Sequence, residues 1–433
     1  MKYCPALLVA APASGQGKTT ITAALARLHR NQGRRVHVFK TGPDFLDPMI
    51  LERASGNPVY QLDLWMGGQS HCRQLLYQAA TQADLILIEG VMGLYDGQPS
   101  SADLAILFNI PVVAVIDATA MAQTWGAVAH GLASYQAGLT VFGVFANQVA
   151  SPAHIAMVKE SLPSNLSWLG ALSRNEKFPL PSRHLGLVQA NEIDDIDQRL
   201  NALAEHLAQT PLSILPPAVG FTPPDIAFTQ RTLIPQTLKG IRIAIARDKA
   251  FSFIYHANLD LLQAMGAELI FFSPLADTML PEVDSLYLPS GYPELHLQAL
   301  QDNTAMHHAI RDHHAASKPI VAECGGMLYL LTTLTNSKGQ IANMVGILQG
   351  QAVMQTRLVN LGLHSAPFPN GELRGHTFHY SRLEISAECS ALTRPTRKEL
   401  RSEPLFCKDK LTASYIHWYL PSNPTVAAGL FLP

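Results

Sequence analysis

The chain has 433 residues, 48% of them hydrophobic and only 15% charged, with a net charge of −2. The charged share falls well below the roughly 25% of an average soluble domain, which excludes a disordered chain and favours strands buried on both faces. Lysine and arginine (31) do not outnumber aspartate and glutamate (33), and no basic run is clustered, so nucleic acid is not an expected partner.

Five scattered cysteines, Cys4, Cys72, Cys324, Cys389 and Cys407, make neither a zinc spacing nor a disulfide framework and suit a reducing cytosol. The longest apolar stretch, 104–122, is broken by Asn109, Pro111 and Asp117, so no bilayer span and no membrane partner are expected. Lys2 and the apolar run 5–11 imitate a weak signal peptide, but cleavage there would fall beside a glycine-rich loop. A first strand is the better reading, and the expected location is cytoplasmic.

In chain order, residues 6–11, 36–39, 85–89, 112–117 and 141–146 are continuous apolar runs, each followed by Gly, Pro, Asp or Asn and a stretch of helical length. Such runs predict parallel strands covered on both sides, in a doubly wound sheet. Between about 192 and 239 prolines crowd the chain at 211, 216, 217, 223, 224 and 235, after a helix-like stretch at 197–207. This density predicts a semi-rigid linker without regular structure. A second βα series then begins, with strands at 241–246, 268–272, 285–288 and 320–323. The expected organisation is two α/β domains, over 1–191 and 240–433, joined by a linker over 192–239.

Pro12-Ala13-Ser14-Gly15-Gln16-Gly17-Lys18-Thr19-Thr20 follows the first strand and opens a helical run. It matches a phosphate loop, with Pro12 where the first glycine usually stands. Gly15 and Gly17 let main-chain amides turn toward phosphate oxygens, and the helix N-terminus adds partial positive charge. Lys18 would reach the β/γ phosphates of ATP and Thr19 would ligate Mg²⁺. Residues 85–89 end in Glu89, an acid beside the phosphates, and 40–48 offer Lys40, Asp44 and Asp47 after the second strand. Thr19, Asp44 and Glu89 are therefore the candidate metal ligands, with Asp47 equally able to cap a helix. The three-glycine loop 90–97, carrying Asp96, reads as a substrate or lid loop over the same edge. Asn147, just past the fifth strand, could pair with an adenine edge.

In the second domain, 319–323 runs into Cys324-Gly325-Gly326 and an apolar run at 327–334 that reads as a helix. A cysteine in a tight strand-to-helix turn is nucleophile-elbow geometry. Its base is to be found among His417, at the end of an apolar run, and the competitors His376 and His379. His307, His308, His313 and His314 read as a solvated helix face. Oxyanion contacts would come from Gly325 and from Gly291 and Tyr292 in the turn 289–294.

Residues 11–20, 42–48, 89–97, 183–187, 290–294, 322–327 and 375–381 together resemble the cobyrinate a,c-diamide synthases, in order and over nearly the whole chain. That family joins a dethiobiotin-synthetase-like P-loop domain to a class I glutamine amidotransferase domain. The resemblance implies that Cys324 is the glutaminase nucleophile, that His417 raises its nucleophilicity, and that Asp44, Leu46 and Asp96 line a tetrapyrrole carboxylate site. Lys40, Arg183 and His184 are further candidates for that polyanion. Two departures are visible. Tyr419 stands where general class I glutaminases carry glutamate, a gap that cobyrinate-type enzymes share, and Phe45-Leu46 replaces the commoner Tyr-Ile.

The implied chemistry converts a corrinoid carboxylate to an acyl phosphate with ATP and displaces the phosphate with ammonia released from glutamine. The substrate would be cobyrinic or hydrogenobyrinic acid, amidated at the a and c side chains in cobalamin biosynthesis. A nickel-sirohydrochlorin a,c-diamide synthase, a P-loop switch ATPase and a scaffold with an inactive glutaminase are the alternatives. A homodimer is the default expectation for assembly.

Overall fold

The computed structural model describes residues 1–174, 192–225, 235–386 and 388–433. The chain divides into two compact units, Met1–Thr229 and Gln230–Pro433. No helix among the described residues is long and apolar enough to cross a membrane.

The first unit is built on strands β1 (Lys2–Ala10), β2 (Val36–Thr41), β3 (Tyr60–Leu62), β4 (Leu85–Glu89), β5 (Val112–Asp117), β6 (Val141–Val149), β7 (Trp168–Ser173) and β8 (Ala218–Phe221). Their order is β3-β2-β4-β1-β5-β6-β7, all parallel, with β8 antiparallel to the start of β1. The five apolar runs are all strands, and their continuous hydrophobicity follows from the two cores that the sheet separates. On one face Leu8, Ile86, Ile88, Val112, Ala114 and Trp125 pack together. On the other, Leu7, Val9, Leu87 and Val113 pack against helix α1 (Lys18–Asn31). Because β1 lies between β4 and β5, the chain leaves β1 toward one edge and returns to the other. Ligands of open α/β sheets bind at the carboxyl ends of strands flanking such a reversal.

The helix-like stretch at 197–207 is a helix, but the segment expected to be a linker is built into the first unit. Helix Ile196–Leu207 buries Leu200, Leu203 and Leu207 in the core that holds α1, and Asp197 pairs with Arg27 at 2.5 Å. Strand β8 completes the sheet beyond it. The prolines flank these elements instead of interrupting them, so each keeps its amide donors. Residues 183–187, with Arg183 and His184, lie outside the described residues.

The second unit carries a seven-stranded sheet, beginning β10 (Glu268–Phe272), β9 (Arg242–Ala246), β11 (Ser285–Leu288), β12 (Ile320–Glu323), and continuing through Leu411–Ser414, Pro404–Lys408 and Ala391–Leu392. Two smaller, mostly antiparallel sheets, formed within 331–419, were not anticipated. The expected helix at 327–334 stops at Leu330 and becomes the strand Leu331–Thr335. The β-branched Thr332, Thr333 and Thr335 favour that change. The four histidines of helix Thr304–Ala315 do not share a solvated face: His307 and His313 are buried. His313 Nε2 donates to the Pro319 carbonyl at 3.2 Å, and the ring of His307 meets Tyr329 edge-on.

Candidate functional site

The phosphate loop joins β1 to α1 as expected. Gly17, the residue before the helix, has φ 92°, and a Cβ there would lie 2.1 Å from Asn147 Nδ2. Only glycine lets the loop sit so close to the end of β6. Asn147 Nδ2 donates to the Gln16 carbonyl at 2.9 Å, and Gln16 Oε1 accepts from the Asp117 amide at 2.9 Å. Asn147 thus braces the loop from beneath, while its Oδ1 is buried without a hydrogen-bond partner. Lys18 Nζ donates to the Ala13 carbonyl at 2.9 Å and to that of Met92 at 2.7 Å, spanning the loop and the glycine-rich segment after β4. Burial, then the nearby ammonium of Lys40, pulls the Lys18 pKa down.

Beside Lys18, the ends of β2 and β4 and the first turn of helix α2 (Leu46–Ser55) bring an acid cluster around Lys40. Lys40 Nζ lies 3.0 Å from Glu89 Oε1, 2.9 Å from Asp47 Oδ2 and 3.9 Å from Asp44 Oδ2. Burial opposes the Lys40 charge, but Glu89, Asp47 and Asp44 outweigh it and raise its pKa. Glu89 is itself pushed up to about 7 by burial, which Lys40 only partly offsets. Asp44 rises through burial and the neighbouring Asp47. Asp47, despite its burial, is held low by Lys40.

Thr19 Oγ1 donates to Glu89 Oε1 at 2.7 Å, and Glu89 Oε2 is buried without a hydrogen-bond partner. A hydroxyl and a carboxylate with a spare oxygen, beside a phosphate loop, suit a hard divalent cation such as Mg²⁺. Asp44 reaches this pair indirectly, through Lys40 and through a hydrogen bond with Asp47, and its Oδ1 accepts the Leu46 amide at 2.9 Å. Asp96 Oδ2 accepts the Gly93 amide at 2.8 Å and shapes the 90–97 loop. Thr20 follows in the first turn of α1. Asp47, weighed in the sequence as a helix cap, is a full member of the cluster; its signal was the second acid of the 42–48 motif.

In the second unit Cys324 leaves β12 with φ 37° and ψ −101°, a strained conformation that turns the chain into helix Gly325–Leu330. The elbow depends on close packing, because a Cβ on Gly326 would lie 2.0 Å from the Leu288 carbonyl oxygen. The Cys324 amide donates to Ser414 at 2.8 Å, on the neighbouring parallel strand. The Gly325 amide donates to Ser290 Oγ at 3.2 Å. That turn also holds Gly291 and Tyr292, whose ring meets Phe253 edge-on at 4.9 Å. Burial pushes the Cys324 thiol up to about 12; a hydrogen bond from Ser290 opposes this, and the charges of Glu294 and Glu403 add to it. In the sequence Ser290 stands out only as part of the turn motif 290–294.

His417 opens the short strand His417–Tyr419, reached three residues after Leu411–Ser414 ends. Its ring stacks on that of His376 at 4.6 Å, and His376 Nδ1 is 2.9 Å from the Tyr255 hydroxyl. Burial, followed by the charge of His379, pulls the His417 pKa down to about 3. His379 is engaged elsewhere, 2.9 Å from Glu403 Oε1 and stacked on Tyr415 at 3.7 Å.

A phosphate-loop sheet and a cysteine-elbow sheet on one chain define the class: a P-loop nucleotide-binding domain followed by a class I glutamine amidotransferase-like domain. Residues 7–188 match the CobQ/CobB/MinD/ParA nucleotide binding domain, and residues 242–425 match the CobB/CobQ-like glutamine amidotransferase domain. The hydrogenobyrinate a,c-diamide synthase of Stutzerimonas stutzeri is 60% identical over 432 residues, covering 100% of this chain and 99% of that protein. That of Pseudomonas aeruginosa is 58% identical, covering 99% and 98%. The cobyrinate a,c-diamide synthase of Herminiimonas arsenicoxydans is 48% identical, covering 99% and 96%. The chain belongs to the cobyrinate/hydrogenobyrinate a,c-diamide synthase family.

Proposed function

We propose that this chain amidates the a and c side-chain carboxylates of hydrogenobyrinic acid in cobalamin biosynthesis, using ATP and glutamine. The observation that carries the reading is 60% identity, end to end, to a hydrogenobyrinate a,c-diamide synthase. The cobalt-free macrocycle is preferred to cobyrinic acid because the relative named for the cobalt form stands at 48%.

A carboxylate has no useful leaving group, so it is first phosphorylated by the γ-phosphoryl of ATP. The amides of Ser14 to Thr20 and the Lys18 ammonium offset the charge on the transferring group. Thr19 and Glu89 would hold Mg²⁺, which neutralises phosphate charge when bound. Asp44, Leu46 and Asp96 would line the corrinoid side of the same edge, whereas Lys40, buried and paired with Glu89, Asp47 and Asp44, departs from its expected place among the polyanion's contacts. In the glutaminase half, the Cys324 thiol is protonated at neutral pH and needs a base as it attacks the glutamine amide. His417, kept neutral by burial, takes that proton and returns it to the departing ammonia as the C–N bond breaks. The Gly291 amide, and the Gly325 amide once released from Ser290 Oγ, would receive the oxyanion, and water hydrolyses the glutamyl thioester to glutamate. Ammonia then displaces phosphate from the acyl phosphate to give the amide.

The test incubates purified protein with ATP, Mg²⁺ and glutamine, separately with hydrogenobyrinic and cobyrinic acid, and follows products by mass spectrometry. Two new amides on hydrogenobyrinic acid, formed faster than on cobyrinic acid, are expected. Amidation of neither, even with ammonium supplied, overturns the substrate assignment.

A further inference from the structure

His417 rides on a three-residue strand that pairs with Arg374–His376. So short a strand holds its register poorly unless something else fixes it. Behind it lies a fully buried polar network that the chemistry above does not use. Glu323 Oε1 accepts from the Trp418 amide at 3.2 Å and from the Tyr287 hydroxyl at 2.9 Å. Asn258 Nδ2 donates to the Trp418 carbonyl at 2.7 Å and to the Tyr287 hydroxyl at 3.4 Å. Asn258 Oδ1 accepts from the Leu420 amide at 2.8 Å. Both main-chain polar groups of the residue after His417 are therefore held by buried side chains.

The arrangement is costly. Glu323 is 1% exposed and Asn258 and Tyr287 are fully covered, and burying a carboxylate is seldom stabilising by itself. Burial pushes Glu323 up to about 8. Its neighbour in sequence is Cys324, which packs in the same core as Ile320 and Ala322, whereas Tyr287 and Trp418, the partners of Glu323, lie in the core on the other face of the sheet. One strand end thus carries the nucleophile on one side and the grip on the base-bearing strand on the other.

We propose that Glu323, with Tyr287 and Asn258, is a positioning clamp that sets His417 against Cys324 through the Trp418 peptide group, an inference that rests on reading Cys324 and His417 as the glutaminase pair. Glu323 is a positioning residue, not a catalytic one. Any acceptor of the same shape should serve, whereas loss of the acceptor should let His417 drift.

The experiment measures glutamate release and ammonium-dependent amidation for the full chain and for Glu323→Gln, Glu323→Leu, Tyr287→Phe, His417→Ala, and each of the last two Glu323/Tyr287 changes combined with His417→Ala. Misplacement of a reacting group by about 1 Å costs on the order of 10²-fold. Glu323→Leu should therefore lose roughly 10²-fold in glutaminase kcat with KM for glutamine little changed. Glu323→Gln should stay within about fivefold, and ammonium-dependent amidation should be unaffected throughout. In the His417→Ala background, Glu323→Leu and Tyr287→Phe should cost nothing more. Additive losses in that background, a rise in KM alone, or an equal fall in Glu323→Gln overturns the clamp. If Glu323→Leu does not fold, the milder Tyr287→Phe pair decides by the same additivity criterion. Should His417→Ala or Cys324→Ala retain full glutaminase activity, the glutaminase pair itself is misassigned, an outcome separate from failure of the clamp.

Discussion

Cys324 combines two properties that pull against each other. Its strained strand-to-helix elbow is the setting of an activated nucleophile, yet burial and the charges of Glu294 and Glu403 push the thiol up to about 12. A group with its pKa raised that far stays neutral through the physiological range, and its thiolate fraction grows about tenfold per pH unit below that value. The rate of alkylation by iodoacetamide in the absence of glutamine should accordingly climb from pH 7 to pH 10 without levelling. A plateau near the ordinary thiol value of about 8.5 would show that the site does not hold the proton. Lys40 poses the reverse case: its charge is buried but triply compensated by Glu89, Asp47 and Asp44. Lys40→Met leaves three acids facing one another, and breaking a buried pair costs about 3–5 kcal/mol. The melting temperature should fall at pH 7.5, and the loss should shrink toward pH 5. Acids whose folded-state pKa is raised, as for Glu89 and Asp44, take up protons as the pH drops and so shed the repulsion. A loss independent of pH would mean that packing, not charge, is what Lys40 supplies.

At the scale of single elements, close backbone approach fixes both loops. A Cβ on Gly326 would meet the Leu288 carbonyl oxygen at 2.0 Å, and a carbonyl in mid-sheet cannot move aside. Overpacking of this kind costs roughly 1–3 kcal/mol or more, so Gly326→Ala should lower the melting temperature and the glutaminase rate while ammonium-dependent amidation persists. Unchanged glutaminase kinetics would show that the elbow tolerates the shift. The same elements show what was legible in the sequence. The phosphate loop and the elbow are local: a buried strand, glycines at fixed spacing, then a helix, all within a dozen residues. Asp47, Ser290 and the Glu323 network were not, because their roles depend on strand register between segments far apart in the chain. The small sheets within 331–419 were also hidden. Strands such as Asn360–Phe368 mix buried and exposed positions irregularly, without the continuous apolar runs of β4 or β5. His307 and His313 misled for a related reason: a polar residue type says little about burial when a ring edge or one carbonyl satisfies it.

For the whole molecule, the two half-reactions sit on one chain, and the reason lies in the chemistry of ammonia. Released into neutral water it is protonated to ammonium, which has no lone pair with which to attack an acyl phosphate. A chain that makes and uses ammonia gains only if the nitrogen passes from one half to the other before protonation. Lys18→Ala should abolish amidation from either nitrogen source while leaving glutamate release measurable, and Cys324→Ala should do the opposite, keeping ammonium-dependent amidation. Mixing the two variants in equal amounts then separates transfer within a chain from escape into solution. If the nitrogen stays within one chain, the mixture amidates the substrate only as fast as its released ammonium allows. Adding glutamate dehydrogenase, with 2-oxoglutarate and NADPH, to scavenge that ammonium should silence the mixture and leave the unmodified protein nearly unaffected. A mixture that resists the scavenger would mean that one chain feeds another, and equal sensitivity of mixture and unmodified protein would mean that the ammonia is not protected at all.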